Sequence, residues 1–241
     1  MPANDKRFVA HIDILGMSTL VEQDAEAAWN LLSGLVECLE TVNGYELEFK
    51  DAGARLAVPE KVGSVMFSDT IVLFTIDDSD LSLRSLIVAV GALFHKALVK
   101  CVPVRAALAY GTFFINQPKS MYAGPALIEA YRHGESAQWL GIVACPSVVG
   151  RAAALGMTSD SKNLIVPWSI PVKTGTIEGY AVNWPAAVQN DMTVPAPLTA
   201  EQFYEAFRST FGDFNLQPPD VKAKYKHTVE FMNAMLSDEL A

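Results

Sequence analysis

The order of apolar patterns along the chain predicts an α+β fold: a mostly antiparallel sheet with helices packed on one face. Three observations carry this. Short apolar runs bounded by glycine or turn residues read as strands. Longer stretches with apolar residues at helical spacing lie between them. The resulting succession is strand, helix, hairpin, helix, hairpin, helix, strand. With 241 residues and 51% hydrophobic content, the chain can bury a sizeable core, and one domain over residues 1–241 is expected. Its core spans about 7–185 and a C-terminal helical appendage about 198–238, joined through the Pro-rich stretch from Pro185 to Pro197.

Residues 7–15 (through Phe8-Val9-Ala10-His11-Ile12-Asp13-Ile14-Leu15) form a buried strand ended by Gly16. Asp24 caps a helix whose Ala28, Leu31, Leu32, Leu35, Leu39 and Val42 share one face, up to Asn43-Gly44. Residues 45–60 mix charges with Gly53 and Pro59 and read as an irregular insertion with a short strand at 45–49. Val62–Phe67 and Thr70–Ile76 make a hairpin with Ser68-Asp69 at its tip. Ser79 or Asp80 opens a second long helix carrying Leu83, Leu86, Ile87, Val90, Leu93, Phe94, Ala97 and Leu98 on one face. Val104–Tyr110 and Thr112–Ile115 read as another hairpin around Gly111. Pro125 opens a third helix reaching about Trp139, followed by a strand over 142–145 and a short helix over 146–155. The last strands are expected at 163–166 and 179–182. Thr199-Ala200-Glu201-Gln202 is a capping box opening a helix through Phe211, and 219–236 reads as the final helix.

A formal charge of −9 argues against a nucleic-acid scaffold, because phosphate-backbone binding normally draws on a surface excess of Lys and Arg. Cys38, Cys101 and Cys145 lie singly in apolar stretches, so neither a disulfide framework nor a C-x-x-C zinc site is indicated, and a reducing cytoplasm fits. The polar start, Met1 to Arg7, has no signal-peptide core, and no stretch is read as a membrane span.

The chemistry centres on Asp13 and Asp69. Each carboxylate stands among apolar neighbours, where desolvation is costly unless a cation or hydrogen-bond donors offset it. One closes the first strand and the other tips a hairpin, so the two can converge over one edge of the sheet. Two hard carboxylate ligands suit Mg²⁺ or Mn²⁺. The alternative is a plain turn aspartate and a plain strand-end carboxylate.

Four motifs in order resemble the catalytic domain of class III nucleotidyl cyclases. His11-Ile12-Asp13-Ile14-Leu15-Gly16-Met17-Ser18 is similar to the family's first-strand motif, and Ser68-Asp69 to its hairpin metal site. Arg105 to Gly111 is similar to the family's R-x-G-I-x-x-G strand in Arg and Gly, and Gly124 to Arg132 to its G-x-x-V-N-x-A-x-R helix in Gly, Ala and Arg. The resemblance covers roughly 7–185. It implies a ferredoxin-like cyclase fold with two Mg²⁺ or Mn²⁺ ions per site on Asp13, Asp69 and the backbone carbonyl of Ile14. It further implies Arg132 as catalytic phosphate-stabilising cation, reaching in from the partner of a homodimer with its sites at the interface. Leu15, Gly16, Met17 and Ser18 would cradle the β- and γ-phosphates with backbone amides. Lys173 occupies roughly the place of a family phosphate-binding lysine.

The purine-selecting positions of the family hold Val65 and Met121 here, so neither polar selector is present, and the helix Asn is replaced by Ile128. With Gly124 to Tyr131, this looks most like the pyrimidine cyclases of bacterial Pycsar anti-phage systems. That resemblance implies conversion of UTP to 3′,5′-cyclic UMP and pyrophosphate, alternatively CTP to cyclic CMP or a purine cyclase reaction, with no nucleic-acid or membrane partner and a separate effector that responds to the cyclic nucleotide. A catalytically inactive cyclase-like dimerisation domain is the alternative from another class. His11 is read as a hydrogen-bonded core residue and Arg105, which begins a strand and could pair with a carboxylate or a phosphate, as structural; Tyr45, Phe49, Tyr122 and Tyr131 could narrow the base pocket but are read first as core aromatics.

Overall fold

A computed structural model describes residues 5–50, 53–158, 163–188 and 198–237. The elements are β1 (Lys6–Ile14), α1 (Met17–Gln23), α2 (Ala25–Asn43), β2 (Glu46–Phe49), β3 (Ala54–Ala57), β4 (Val62–Phe67), β5 (Thr70–Thr75), α3 (Asp80–Val99) and β6 (Val104–Thr112). They continue with β7 (Phe114–Asn116), β8 (Met121–Ala123), α4 (Pro125–Ser136), β9 (Ile142–Ala144), α5 (Pro146–Ala154), β10 (Ile165–Val172) and β11 (Gly175–Val182). The helices α6 (Trp184–Val188), α7 (Ala200–Tyr204), α8 (Arg208–Phe211) and α9 (Pro219–Ser237) complete the described elements.

Seven strands form one sheet in the order β10-β11-β9-β6-β1-β5-β4, antiparallel except for the β6–β9 pair. Central β1 sets the register: Ile12 lies opposite Ile71 and Ala106, while His11 lies opposite Val72 and Ala107. Alternation then gives two faces. Phe8, Ala10, Ile12 and Ile14, with Ile71, Leu73 and Leu108, join Leu86, Val90, Leu93 and Phe94 of α3 in the main core. Fully burying one such Leu, Ile or Phe side chain contributes about 1.5–3 kcal/mol. The other face carries Val9, His11, Asp13, Ala107 and Arg105, and α4 packs against it: a Cβ built on Gly134 would stand 3.8 Å from Ala107 Cβ and 3.9 Å from His11 Nδ1. Helices therefore cover both faces, not the one expected, because β1 and β6 are apolar or small on both sides where α4 crosses.

The starts of α2 and α3 are fixed by side chains. Asp24 Oδ1 accepts from Ala27 N–H at 2.9 Å, and Ser79 Oγ accepts from Ser82 N–H at 3.3 Å. Asp77 gathers the Ser79 N–H and hydroxyl, the Ser82 hydroxyl and Lys61 Nζ, and these donors hold its carboxyl well below the usual range despite the opposing effect of burial. At 20 residues α3 is long and apolar enough to cross a membrane, contrary to the reading that no stretch approaches one, but here its apolar residues cover the sheet.

Other departures have local causes. α1 escapes the periodic reading because it is short and buries only Met17 and Leu20; it begins at Gly16, whose φ of +78° is left-handed backbone that favours glycine. The 45–60 segment forms the β2–β3 ribbon. No hairpin turns at Gly111: β6 runs on to Thr112, opposite Lys6, and β7 pairs with β8 in a ribbon of its own. The last hairpin is longer than expected, pairing from Ile165↔Val182 down to Val172↔Gly175. Pro167 and Pro171 masked it, yet β10 is an edge strand, where proline is tolerated. The helix expected through Phe211 is broken into α7, a short 3₁₀ turn and α8, which stops at Gly212 with φ +81°. Pro195 and Pro197 lie outside the described residues.

Candidate functional site

The end of β1 and the β4–β5 tip meet because the register brings them together. Asp13 pairs with Thr70 of β5 on one side and Arg105 of β6 on the other. Ser68 takes φ +55° in the hairpin turn, and the Asp69 carbonyl accepts the Ile14 N–H at 3.3 Å, tying the tip to the strand exit. The chain leaves β1 with the Leu15 amide bonded to the Pro103 carbonyl at 2.8 Å, and Gly16 turns it into α1.

These segments wall a strongly polar cavity of about 420 Å³. Asp13, Ile14, Leu15, Gly16, Met17 and Ser18 line it from β1 and the start of α1, and Asp69 from the hairpin. Arg105 comes from β6, Glu135 from α4, Gln138 from the segment after it, and Lys173 from the β10–β11 turn. Asp220 and Lys224 enter from the first turns of α9. That helix is held over the rim by its own packing: Thr228 Oγ1 accepts the Leu140 N–H at 2.8 Å, and Phe231 meets the Trp139 and Trp168 rings edge-on. A second cavity of about 540 Å³, walled by Leu20, Tyr204, Phe211 and Tyr225, shares Leu15, Gly16 and Lys224 with the first.

The electrostatics of the polar cavity are those of a site short of compensation. Burial pushes the Asp13 carboxyl up to about 6, and the Arg105 guanidinium offsets only part of this. Arg105 Nε and Nη2 reach Asp13 Oδ2 at 3.2 and 3.0 Å, while its Nη1 reaches the Glu135 carbonyl at 3.1 Å and its Nη2 also contacts the Glu135 carboxylate. Lys224 is pushed below the ordinary lysine value, first by burial and then by the Arg105 and Lys173 charges, against the opposing pull of Asp220. His11, beneath α4 with its ring edge-on to Tyr131, is lowered mainly by burial. Four carboxylates (Asp13, Asp69, Glu135, Asp220) and three cations (Arg105, Lys173, Lys224) thus face one space.

The donor set fits a hard divalent cation. Asp13 and Asp69 supply carboxylate oxygens beside the Ile14 backbone, the ligand chemistry Mg²⁺ and Mn²⁺ prefer. Both Arg105 bonds to Asp13 fall on Oδ2, which leaves Oδ1 outside that fork. A carboxylate disfavoured by burial is also the one whose ionised form gains most from an added cation.

Of the residues expected from sequence, Asp13, Ile14, Asp69, Leu15 to Ser18 and Lys173 share this cavity, although the Leu15 amide is taken by Pro103 and cannot cradle a phosphate. Arg132 does not line it; it stands exposed on α4. Val65 packs beside Val72, Phe74 and Phe113 in a separate small cluster, and Met121 sits on β8, 60% exposed. Sequence reasoning took Arg105 as structural, though its place opposite a buried Asp13 was deducible once the strands were paired. Glu135, Gln138, Asp220 and Lys224 gave no local signal, because only the packing of α4 and α9 brings them to Asp13.

No protein-family model and no curated protein matches the chain. Solved structures do. The catalytic core of a rhodopsin-guanylyl cyclase with converted specificity, solved in complex with ATPalphaS, superposes with a TM-score of 0.51 at 13% identity, covering 74% of this chain and 94% of that one. The guanylyl cyclase domain of the RhoGC fusion protein from the aquatic fungus Blastocladiella emersonii gives 0.49 at 13% identity, over 74% and 96% of the two chains. The adenylyl cyclase CyaB from P. aeruginosa gives 0.45 at 15% identity, over 73% and 93%. The first superposition, together with the mixed sheet and the helices packed on it, establishes the architecture: the chain has the class III nucleotidyl cyclase fold.

Proposed function

We propose that the chain is a nucleotidyl cyclase that converts a pyrimidine nucleoside triphosphate, UTP first and CTP second, to its 3′,5′-cyclic monophosphate and pyrophosphate. The observation that carries this reading is the convergence of Asp13, Asp69, Lys173 and the first residues of α1 on one polar cavity at the β1 exit. The reaction forms a bond between the ribose 3′ oxygen and the α-phosphorus and breaks the bond from that phosphorus to the departing pyrophosphate; the 3′ hydroxyl proton leaves to solvent. Two divalent ions held by Asp13, Asp69 and the Ile14 carbonyl would supply the charge that acidifies the 3′ hydroxyl and neutralises the triphosphate.

The chain's own residues hold and aim the substrate. Lys173 and Lys224 both line the cavity and pair with the β- and γ-phosphates, and the Gly16, Met17 and Ser18 amides add donors at the start of α1. Arg105 keeps the Asp13 carboxylate oriented from below, with Glu135 as its second anchor. In a homodimer with sites at the interface, the partner subunit's Arg132 stabilises charge on the transferring phosphorus. Support for that assembly comes from the exposed apolar side chains Ile128 and Tyr131 on α4 and Phe114 and Met121 on the β7–β8 ribbon. By the resemblance, the family's purine-selecting positions hold the apolar Val65 and Met121, so the polar groups that would pair with a purine edge are absent. By the same resemblance the product would act as a second messenger in cytoplasmic anti-phage defence, read by a separate effector.

The test is incubation of the purified protein with each of the four nucleoside triphosphates and Mn²⁺, with products identified by mass spectrometry. Cyclic UMP or cyclic CMP, lost in Asp13→Ala and Asp69→Ala, is the expected outcome; cyclic AMP or cyclic GMP alone refutes the pyrimidine assignment. A second reading, an inactive nucleotide-binding dimerisation domain, is favoured by Ile128 at the family's Asn position. Nucleotide binding without pyrophosphate release would select it.

A further inference from the structure

A second constellation of ligand-type side chains lies away from the polar cavity. Glu129 and His133 are one turn apart on α4 and so project from the same flank. That flank faces the β9–α5 junction, where fully buried Cys145 precedes the first turn of α5. A Glu129 carboxylate oxygen, a His133 ring nitrogen and Cys145 Sγ all lie within 4.8 Å of one another.

We propose that Glu129, His133 and Cys145 bind a single borderline-soft divalent cation, Zn²⁺ foremost, at a site separate from the Asp13–Asp69 cavity. Three lines of chemistry support it. An i, i+4 pair on a helix completed by one residue from another element is an economical three-point zinc arrangement, with water as fourth ligand. The oxygen, nitrogen and sulfur set suits Zn²⁺ or Co²⁺ and disfavours Mg²⁺ and Mn²⁺, which prefer oxygen alone. Tetrahedral ligands around zinc stand about 3.3–3.8 Å apart, so closing from 4.8 Å asks for side-chain movements of only about 1 Å.

The surroundings are consistent with this use. The Ser147 N–H donates to Glu129 Oε1 at 3.4 Å and would orient that carboxylate behind the metal. Glu129 and His133 are half-buried, which gives the ion a way in and leaves room for water. Binding exchanges the Cys145 thiol proton for the cation, so one proton is released per metal bound. The bound ion would fasten the middle of α4 to the β9–α5 junction, one residue from Arg132.

The test is titration of the full chain with Co²⁺, followed by optical absorption. Expected is a thiolate-to-cobalt charge-transfer band saturating at one equivalent, abolished by Cys145→Ser, weakened at least 10-fold in apparent affinity by His133→Gln, and bleached by Zn²⁺. Neither Cys38 nor Cys101 contributes to the trio, so Cys145→Ser isolates the sulfur. The band must persist in Asp13→Asn, because the cyclase cavity offers no thiolate. No band, or a band that survives Cys145→Ser, overturns the proposal. His133→Gln, checked as folded by circular dichroism, decides the matter if the Cys145 variant fails to fold: an unchanged affinity overturns it. None of these readings depends on nucleotide turnover, so the fate of the cyclase assignment is decided separately.

Discussion

Replacing Asp13 by Asn should make the metal-free protein more stable while removing its proposed activity. The carboxyl is raised from 3.8 to about 6 by the folded environment. At about 1.4 kcal/mol per unit, keeping it ionised at neutral pH costs the fold about 3 kcal/mol as a ceiling, and about 1–2 kcal/mol once solvent screening is allowed for. The amide of Asn keeps the shape without the charge, and Arg105 retains Glu135. The sign follows from the direction of the shift. A folded-state value above the unfolded one gives a contribution that is complete below about 3.8 and fades as pH rises through about 6. The wild type should therefore fall behind Asp13→Asn near neutral pH and draw level as the solution is acidified. Urea unfolding of both proteins without divalent ions, at about pH 7.5 and about pH 4, measures the difference. A variant less stable than wild type at both pH values would refute the reasoning, because Arg105 would then already compensate the carboxylate in full.

Other outcomes follow from the same structure. Lys224→Met should weaken triphosphate binding about 10-fold in calorimetry with no loss of thermal stability, since the lysine is disfavoured by burial and by its cationic neighbours. Asp77→Ala should cost about 1–2 kcal/mol in a urea melt, because it releases the Ser79 N–H and the hydroxyls of Ser79, the α3 cap, and Ser82, while nucleotide affinity stays unchanged. Gly124→Ala should cost about 3 kcal/mol, because its new Cβ would strike the Thr112 carbonyl oxygen and stand 2.8 Å from Phe113 Cα.

What the sequence discloses depends on how local each signal is. β1 and the β4–β5 hairpin are legible as short apolar runs and α2 and α3 by apolar residues at helical spacing, with Gly16, Asp24 and Ser79 marking their ends. The β7–β8 ribbon is not, since a glycine at 111 reads as a turn until the pairing of β6 with β1 through Thr112 is known. In β10, prolines that argue against a strand are harmless only because that strand is an edge, a fact of topology.

The site divides the same way. Asp13 and Asp69 stand out as acids among apolar neighbours, and Lys173 by its place before the last strand. Lys224 and Asp220, some two hundred residues from Asp13, reach the cavity only because Thr228 and Phe231 dock α9 against the 138–140 segment. Val65 and Met121 were expected at a base pocket, and within one chain they lie outside the polar cavity.

The most direct measurement is calorimetric binding of 3′-deoxy-UTP, which has no attacking oxygen, in the presence and absence of Mn²⁺. The account predicts binding that needs the metal and is lost when Asp13 and Asp69 are both changed to Asn in a protein that remains folded. Equal affinity without Mn²⁺, or in that double variant, would contradict it.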